Sequence, residues 1–319
     1  MVDGELQASL TTTARHPIGT LSYSILNNTG SALVNSSGVV RAVQHGIVFL
    51  KITSSGNTNY NSATTSQAIT INKSTPTLTI TSSNIIPVGG TLTATVLSTA
   101  TYNRGGAKAF AIVSGSGSAT VNPSTGYIQA VSAGTVTLTV VTSGDADYYT
   151  ASTSQLITIG KTTPTLTITS SSALVVGNTL TVMASTTAGV GNGGAMAFAL
   201  IGGSGSATIN SSTGLMTAIN AGAVTVMVST AGDINYNASS TSQLITISKA
   251  TPTLNITSGN TMSVDGSLSA TATTTATGGR GGAFSYSIGV GSGSATVNSS
   301  TGRIRAIDAG TVTLLVSTS

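Results

Sequence analysis

The feature that most limits what this chain can become is that it repeats itself. KSTPTLTITSS begins at Lys73, KTTPTLTITSS at Lys161 and KATPTLNITSG at Lys249, at intervals of 88 residues. A second anchor keeps the same step. The segments SSGVVRAV, STGYIQAV, STGLMTAI and STGRIRAI place glycines at Gly38, Gly126, Gly214 and Gly302. A third is a tyrosine after a Gly-polar turn, in SGNTNY, SGDADY and AGDINY, at Tyr60, Tyr148 and Tyr236. A fixed period of this size means serial copies of one structural unit. The copies divide the chain into residues 1–72, 73–160, 161–248 and 249–319. The first lacks the TPTLTI segment and the last lacks the TSQLITI segment. That pattern predicts a stretch cut from a longer array. The rival reading is a subunit that borrows its missing strands from neighbouring chains.

Within a copy, apolar and polar residues alternate with period two. In the second copy the apolar positions run Leu78 and Ile80, then Leu92, Ala94 and Val96, then Phe110 and Ile112. Ala119 and Val121 follow, then Ile128 and Ala130, then Val136, Leu138 and Val140, and last Ile157 and Ile159. Threonines fill most outward positions, and a β-branched residue suits a solvated strand face. Such alternation marks half-buried strands. No stretch has helical spacing with caps. Seven short strands with one buried face each predict two packed sheets: an all-β chain of tandem immunoglobulin-like β-sandwich repeats of about 88 residues. A barrel is the runner-up. Pro76, Pro164 and Pro252 lie in the short connections between copies. A ring that locks φ leaves such a connection little freedom. The expected result is an elongated rod, each copy spanning roughly 40 Å and four reaching roughly 150 Å.

Three of these motifs carry a family resemblance. VGGTLTA from Val88 to Ala94, SATVNPSTGYIQAV from Ser118, and AGTVTL ending at Leu138 resemble bacterial Ig-like domains of group two, the invasin–intimin type. The ending G-D-x-x-Y followed by TSQLITI is similar to endings of giant repetitive bacterial surface proteins. The resemblance covers all four copies. It departs from the pattern in one respect: tryptophan is absent from the chain. The resemblance implies an Ig-like sandwich used as a spacer or adhesive stalk on a bacterial surface, extracellular, with export and anchoring signals carried elsewhere. Some family members sit on phage particles or in polysaccharide-active enzymes.

Composition narrows the chemistry. Charged residues make up 6% of the chain, against roughly 25% in an ordinary soluble domain. The net charge of +4 is spread thinly, with no basic cluster beyond Arg303 and Arg305. Nucleic-acid binders concentrate positive charge on one face, so no nucleic-acid partner is expected. There is no cysteine, which excludes a disulfide framework, a thiolate metal site and a cysteine nucleophile. No apolar run approaches the ~20 residues of a membrane helix. Two histidines, His16 and His45, and one glutamate, Glu5, are the whole stock of those residues. An enzyme needs acids, bases or nucleophiles brought together. No catalytic site and no cofactor are therefore expected. The recurrent GSGSAT at Gly115, Gly203 and Gly291 lacks the lysine and helix of a phosphate loop and reads as a turn.

One turn offers two readings. Its polar positions are Asn57 and Asn59, Asp145 and Asp147, and Asp233 and Asn235. Alternating Asp and Asn oxygens are donors that calcium loops use, so Asp145, Asp147, Asp233 and Asn235 are metal candidates. Calcium takes six to eight oxygens, and two side chains fall short. The other reading is Asx residues bonding to their own turn, which the donor count favours. Tyr60, Tyr148 and Tyr236 follow this turn, and a recurrent tyrosine there is expected to be buried, its ring packed under the edge of its own sandwich and its hydroxyl on backbone. Tyr102, Tyr127 and Tyr149 belong to the second copy alone and are expected to be exposed.

The sameness of the copies argues for serial length and reach. The function expected is a non-catalytic structural or adhesive stalk or filament. Its partners would be neighbouring repeats, other filament subunits or a host or environmental surface. The alternatives are an array of glycan-binding modules and a phage or sheath component.

Overall fold

The computed structural model describes residues 1–189, 191–276 and 281–318, and Ser319, where the last copy's boundary was drawn, lies outside them. Every regular element among the described residues is a β-strand. The chain folds as tandem Ig-like β-sandwiches.

Residues 73–160 show the unit. One sheet orders Lys108–Ser114, Gly134–Thr142, Ala151–Gly160 and Ile85–Pro87, antiparallel except for the last pair, which is parallel. The facing layer holds Ser118–Val121, Tyr127–Ser132 and Thr91–Thr93, with the short pair Leu78–Ile80 and Val96–Ser98 beside it. Phe110, Ile128, Val136, Leu138, Val140 and Ile157 meet between the layers as one buried cluster. All are inward positions of the period-two pattern, and their burial supplies the main driving force.

The unit departs from the seven-strand expectation in two places. Leu92 to Val96, expected as one strand, is two. The chain leaves one pairing and joins another at Ala94–Thr95, and the Ala94 N–H donates to the Gly126 carbonyl at 2.9 Å. The strand Ile85–Pro87 was also not anticipated. It is three residues long with a single buried side chain, Ile86, too short for alternation to register.

Equivalent sheets recur in residues 161–248. In residues 1–72 the two sheets have three strands each, Glu5–Gln7, Val39–Gln44 and Ser31–Val34 in one, and Leu21–Asn27, Gly46–Ser54 and Ala63–Ile71 in the other. Among the described residues of 249–319, the larger sheet holds Phe284–Gly289 paired with Thr313–Thr318. By internal contacts the chain forms two compact units. One holds residues 1–167, 185–196 and 229–240; the other holds 168–184, 197–228 and 241–319.

The repeated S-T-G anchor has a packing cause. Asn122 Oδ1 accepts the N–H groups of Ser124 and Thr125, both at 3.0 Å, Asn210 and Asn298 hold the same turn, and Asn35 holds a turn one residue shorter through the N–H groups of Ser37 and Val39. The turn ends on Gly126 at φ 70°. The Phe110 ring reaches across the sandwich so closely that a Cβ on Gly126 would lie 2.9 Å from it. Gly38, Gly214 and Gly302 face Tyr23, Phe198 and Tyr286 in the same way.

Candidate functional site: the junctions between repeats

The side chains singled out from the sequence converge where one repeat meets the next. Lys73 to Pro76 is the connection between the first two repeats. Ser74 lies against the tyrosine turn: its N–H donates to the Asp147 carbonyl at 3.1 Å, and the Tyr149 N–H donates to the Ser74 carbonyl at 2.9 Å. Lys73 Nζ donates to the Asp145 carbonyl at 2.8 Å. One repeat later, Thr162 bonds the same way to Asn235 and Asn237, and Lys161 Nζ donates to the Asp233 carbonyl at 2.6 Å. Pro76 and Pro164 are buried and Pro252 is half-buried.

The turn itself is organised by its first acid. Asp145 Oδ1 accepts the N–H groups of Asp147 and Tyr148 at 2.8 and 2.9 Å, and Oδ2 accepts that of Gly105. Asp233 repeats this with Asn235, Tyr236 and Gly193 at 2.7, 2.8 and 2.7 Å, and Asn57 with Asn59 and Tyr60. The oxygens proposed for a cation thus face N–H donors, the geometry of an Asx turn. Burial pushes the Asp145 carboxyl up, but the Gly105, Asp147 and Tyr148 N–H groups and the Arg104 guanidinium outweigh it and hold it below its ordinary 3.8. The Gly193 N–H leads the same downward shift at Asp233, with the Asn235 and Tyr236 N–H groups and Lys161 adding to it against some burial. Groups with depressed folded pKa contribute stability that is complete above their unfolded value and is lost as pH falls through the folded one. Thermal unfolding is therefore expected to be flat from about pH 5 to 8 and to weaken only below about pH 4. A midpoint that declines between pH 7 and 5 contradicts this account.

The second acid of the turn reaches the preceding repeat. Asp147 Oδ1 accepts the His45 N–H at 2.7 Å, and Asn235 Oδ1 accepts the Ala133 N–H at 3.0 Å. Both bonds join residues 102 apart. Arg104 Nη1 adds a clamp to the first junction, donating to the Val43 carbonyl at 2.6 Å and to Asp147 Oδ2 at 3.0 Å. Asn192 stands in the sequence where the next repeat would need that arginine. Asp147→Ala is expected to lower unfolding free energy by about 2–3 kcal/mol, because it strands a mostly buried guanidinium and the His45 N–H. Asp147→Asn should cost less than half of that, since Asn235 already makes the equivalent bond. Equal losses in urea titrations would contradict this.

Tyr148 completes the first junction. It is 2% exposed and packs with Val2, Val40, Val48 and Ala100, so its ring belongs to the core of the preceding repeat. The expectation was a ring under the edge of its own sandwich. The Thr101 N–H donates to the Tyr148 hydroxyl at 3.1 Å, and that hydroxyl donates to the Asp3 carboxylate, which Thr101 Oγ1 also reaches at 2.9 Å. Tyr60 and Tyr236 are only half-buried. The Arg15 N–H donates to the Tyr60 hydroxyl at 3.3 Å. Where Asp3 and Thr101 stand in the first junction, the second has Gly89 and Gly189, which offer no side chain. Asp3, Thr101 and Arg104 were not picked out from the sequence. The available signal was positional: Asp3, Gly89, Gly177 and Asp265 share one turn position, and all have φ between 61° and 85°.

His16 and His45 are exposed, and His45 contributes its backbone rather than its ring. Tyr102, Tyr127 and Tyr149 are exposed too, with Arg104 over the Tyr102 ring at 5.2 Å and Lys73 over the Tyr149 ring at 5.9 Å. No helix of the described residues is long and apolar enough to cross a membrane, which leaves β-barrels unaddressed.

No family model matches the sequence, and no curated protein is similar to it. Several solved structures resemble it. The chain is similar to the Sidekick-1 immunoglobulin domains 1–5, at 14% identity and a TM-score of 0.27, over 72% of this chain. It spans about half of that fragment, 53% of its length. It is similar to the ICAM-5 D1–D4 ectodomain fragment, at 12% identity and a TM-score of 0.32, over 99% of this chain and 95% of that one. It is also similar to domains 4–9 of the surface layer protein SbsC, at 11% identity and a TM-score of 0.24, over 80% of this chain and 43% of that one.

Proposed function

We propose that this chain is a non-catalytic structural and adhesive stalk of a bacterial cell-surface protein of the group-two Ig-like type, its repeats serving as spacers. The observation that carries the reading is the repeated junction. Asp147 and Asn235 tie successive repeats at the same register, beside connections already restricted by buried prolines. Several bonds and a buried connection at a joint limit the freedom of the linking segment, which is what a spacer requires. A surface poor in ionisable groups changes little with salt or pH, which suits exposure outside the cell.

Small-angle scattering and surface labelling test this together. The expected outcome is a maximum dimension of roughly 150 Å and protease-accessible chain on intact cells. A particle under roughly 80 Å, or chain found only after cell lysis, would replace the reading. A second reading, an array that binds glycans, is favoured by the exposed Tyr102 and Tyr149. It requires retardation in gels containing polysaccharide that Tyr102→Ala with Tyr149→Ala abolishes.

A further inference from the structure

Arg303 and Arg305, the basic pair of the sequence, stand two residues apart on the strand Arg303–Asp308. Both are exposed, while Ile304 and Ala306 are buried. The two guanidiniums therefore project from the same face, their Cα atoms roughly 7 Å apart. This strand lies in the middle of its sheet, between Ser267–Ser269 and Ser294–Val297. The register puts Ser267 and Thr296 on either side of Arg305, and Ser269 beside Arg303. The face is a pair of positive charges set between rows of hydroxyls.

The pair belongs to the fourth repeat alone. Its counterparts are Val39 and Arg41, Tyr127 and Gln129, and Leu215 and Thr217. Where the first repeat keeps one arginine, Arg41, it sets Glu5 opposite. The fourth has Ser267 in that place. The acid that remains is Asp265, 3.6 Å from Arg305 Nη2, in a pair with both side chains mostly exposed. Such a pair holds weakly. Arg303 has no ion partner among the described residues. Two like charges this close repel one another, and an anion bound between them relieves the repulsion. A hollow of about 660 Å³ opens at this place, with Asp265, Ser267, Thr296, Asn298 and both arginines in its lining.

We propose that this face binds an acidic polysaccharide, the arginines holding its carboxylate or sulfate groups and Ser267, Thr296 and Asn298 its hydroxyls. A guanidinium grips an oxyanion through two parallel N–H bonds. Hydroxyl and amide side chains both donate and accept, as sugar hydroxyls require. No aromatic ring among the described residues lines the hollow to stack a base. Two cations also neutralise too little of a phosphate backbone to hold a nucleic acid. Asp265 competes with the ligand for Arg305. The site does not involve Tyr102 or Tyr149, and it rests on neither reading given above.

The test is affinity electrophoresis of the intact chain in gels containing polygalacturonate or dextran sulfate, with neutral dextran as the control. Retardation is expected in one or both acidic gels and not in dextran, the stronger polymer showing whether carboxylate or sulfate is preferred. Arg303→Ser with Arg305→Ser should weaken binding by about tenfold or more. Asp265→Asn suits the left-handed backbone there, φ 61°, and should tighten binding about threefold. Arg15→Ser with Lys51→Ser removes the same charge from exposed positions elsewhere and should change binding less than about twofold. No retardation in either acidic gel, or equal binding by the chain lacking Arg303 and Arg305, would overturn the proposal. An equal loss in the chain lacking Arg15 and Lys51 would do the same, since net charge would then be the cause. So would tighter binding of oligothymidylate than of either polysaccharide. All five substituted positions are exposed, and the gain expected from Asp265→Asn cannot come from a misfolded chain.

Discussion

Replacing Tyr148 with alanine is expected to destabilise the first two repeats by about 3–5 kcal/mol and to separate their unfolding. The magnitude follows from what the ring does. At 2% exposure it fills space inside the core of the repeat before its own, in one buried cluster with Val2 and Val48, against which Ala100 packs. Alanine leaves a cavity there that a packed interior closes only in part. The hydroxyl is a separate contribution. Tyr148→Phe keeps the ring and leaves the Thr101 N–H and the Asp3 carboxylate without their partner. That is expected to cost about 1–3 kcal/mol. Tyr60→Ala, at a half-buried position, should cost less than Tyr148→Ala. Hydrogen exchange resolves the repeats: in the parent, residues 21–71 and 108–160 should open with similar free energy, and in Tyr148→Ala they should diverge. Equal losses for Tyr60→Ala and Tyr148→Ala would show that seating in the preceding core is not what stabilises this junction.

Gly134→Val should have an effect of similar size through backbone alone. Gly134 is where the chain leaves the strand Tyr127–Ser132 of one sheet and enters Gly134–Thr142 of the other. It does so at φ 131°, a conformation that side-chain-bearing residues rarely adopt. A Cβ there would lie 2.4 Å from the Gly117 backbone nitrogen, a neighbour that cannot rotate away. Gly46, Gly222 and Gly310 meet Gly30, Gly205 and Gly293 in the same way. Strain at the dihedral and the forced separation of two backbones together cost about 3–5 kcal/mol. Amides of Lys108–Ser114 should lose protection while those of the first repeat keep most of theirs. Thr137→Val, on the outward face of the same strand, should change stability by less than about 0.5 kcal/mol. A Gly134→Val chain that melts like the parent would mean that the crossing tolerates a side chain.

The layers of this protein were legible in its sequence because a strand with one buried face writes its burial into every second residue. Val136, Leu138 and Val140 needed no partner to be recognised as inward, and the fixed period placed their equivalents in each repeat. The Asx turn was legible for a related reason. Asp145 Oδ1 bonds to N–H groups two and three residues away, so that part of its role is local, unlike the bond from the distant Gly105 N–H to Oδ2. What lay beyond the sequence depends on the approach of distant segments. Leu92 to Val96 alternates without a break, yet it serves two sheets, because the crossing at Ala94 is set by a bond to Gly126, far along the chain. Asp3, Thr101 and Arg104 carry no local mark of function. They become a site only when the end of one repeat is brought against the loops of the next. The three tyrosines look alike in sequence and differ in burial: Tyr148 meets an aspartate and a threonine, and the positions aligned with these two at the next junction are Gly89 and Gly189. Local chemistry and period determined the elements, and only the tertiary structure decided what each repeat offers its neighbour, because burial and pairing across a junction are properties of surfaces brought together in space.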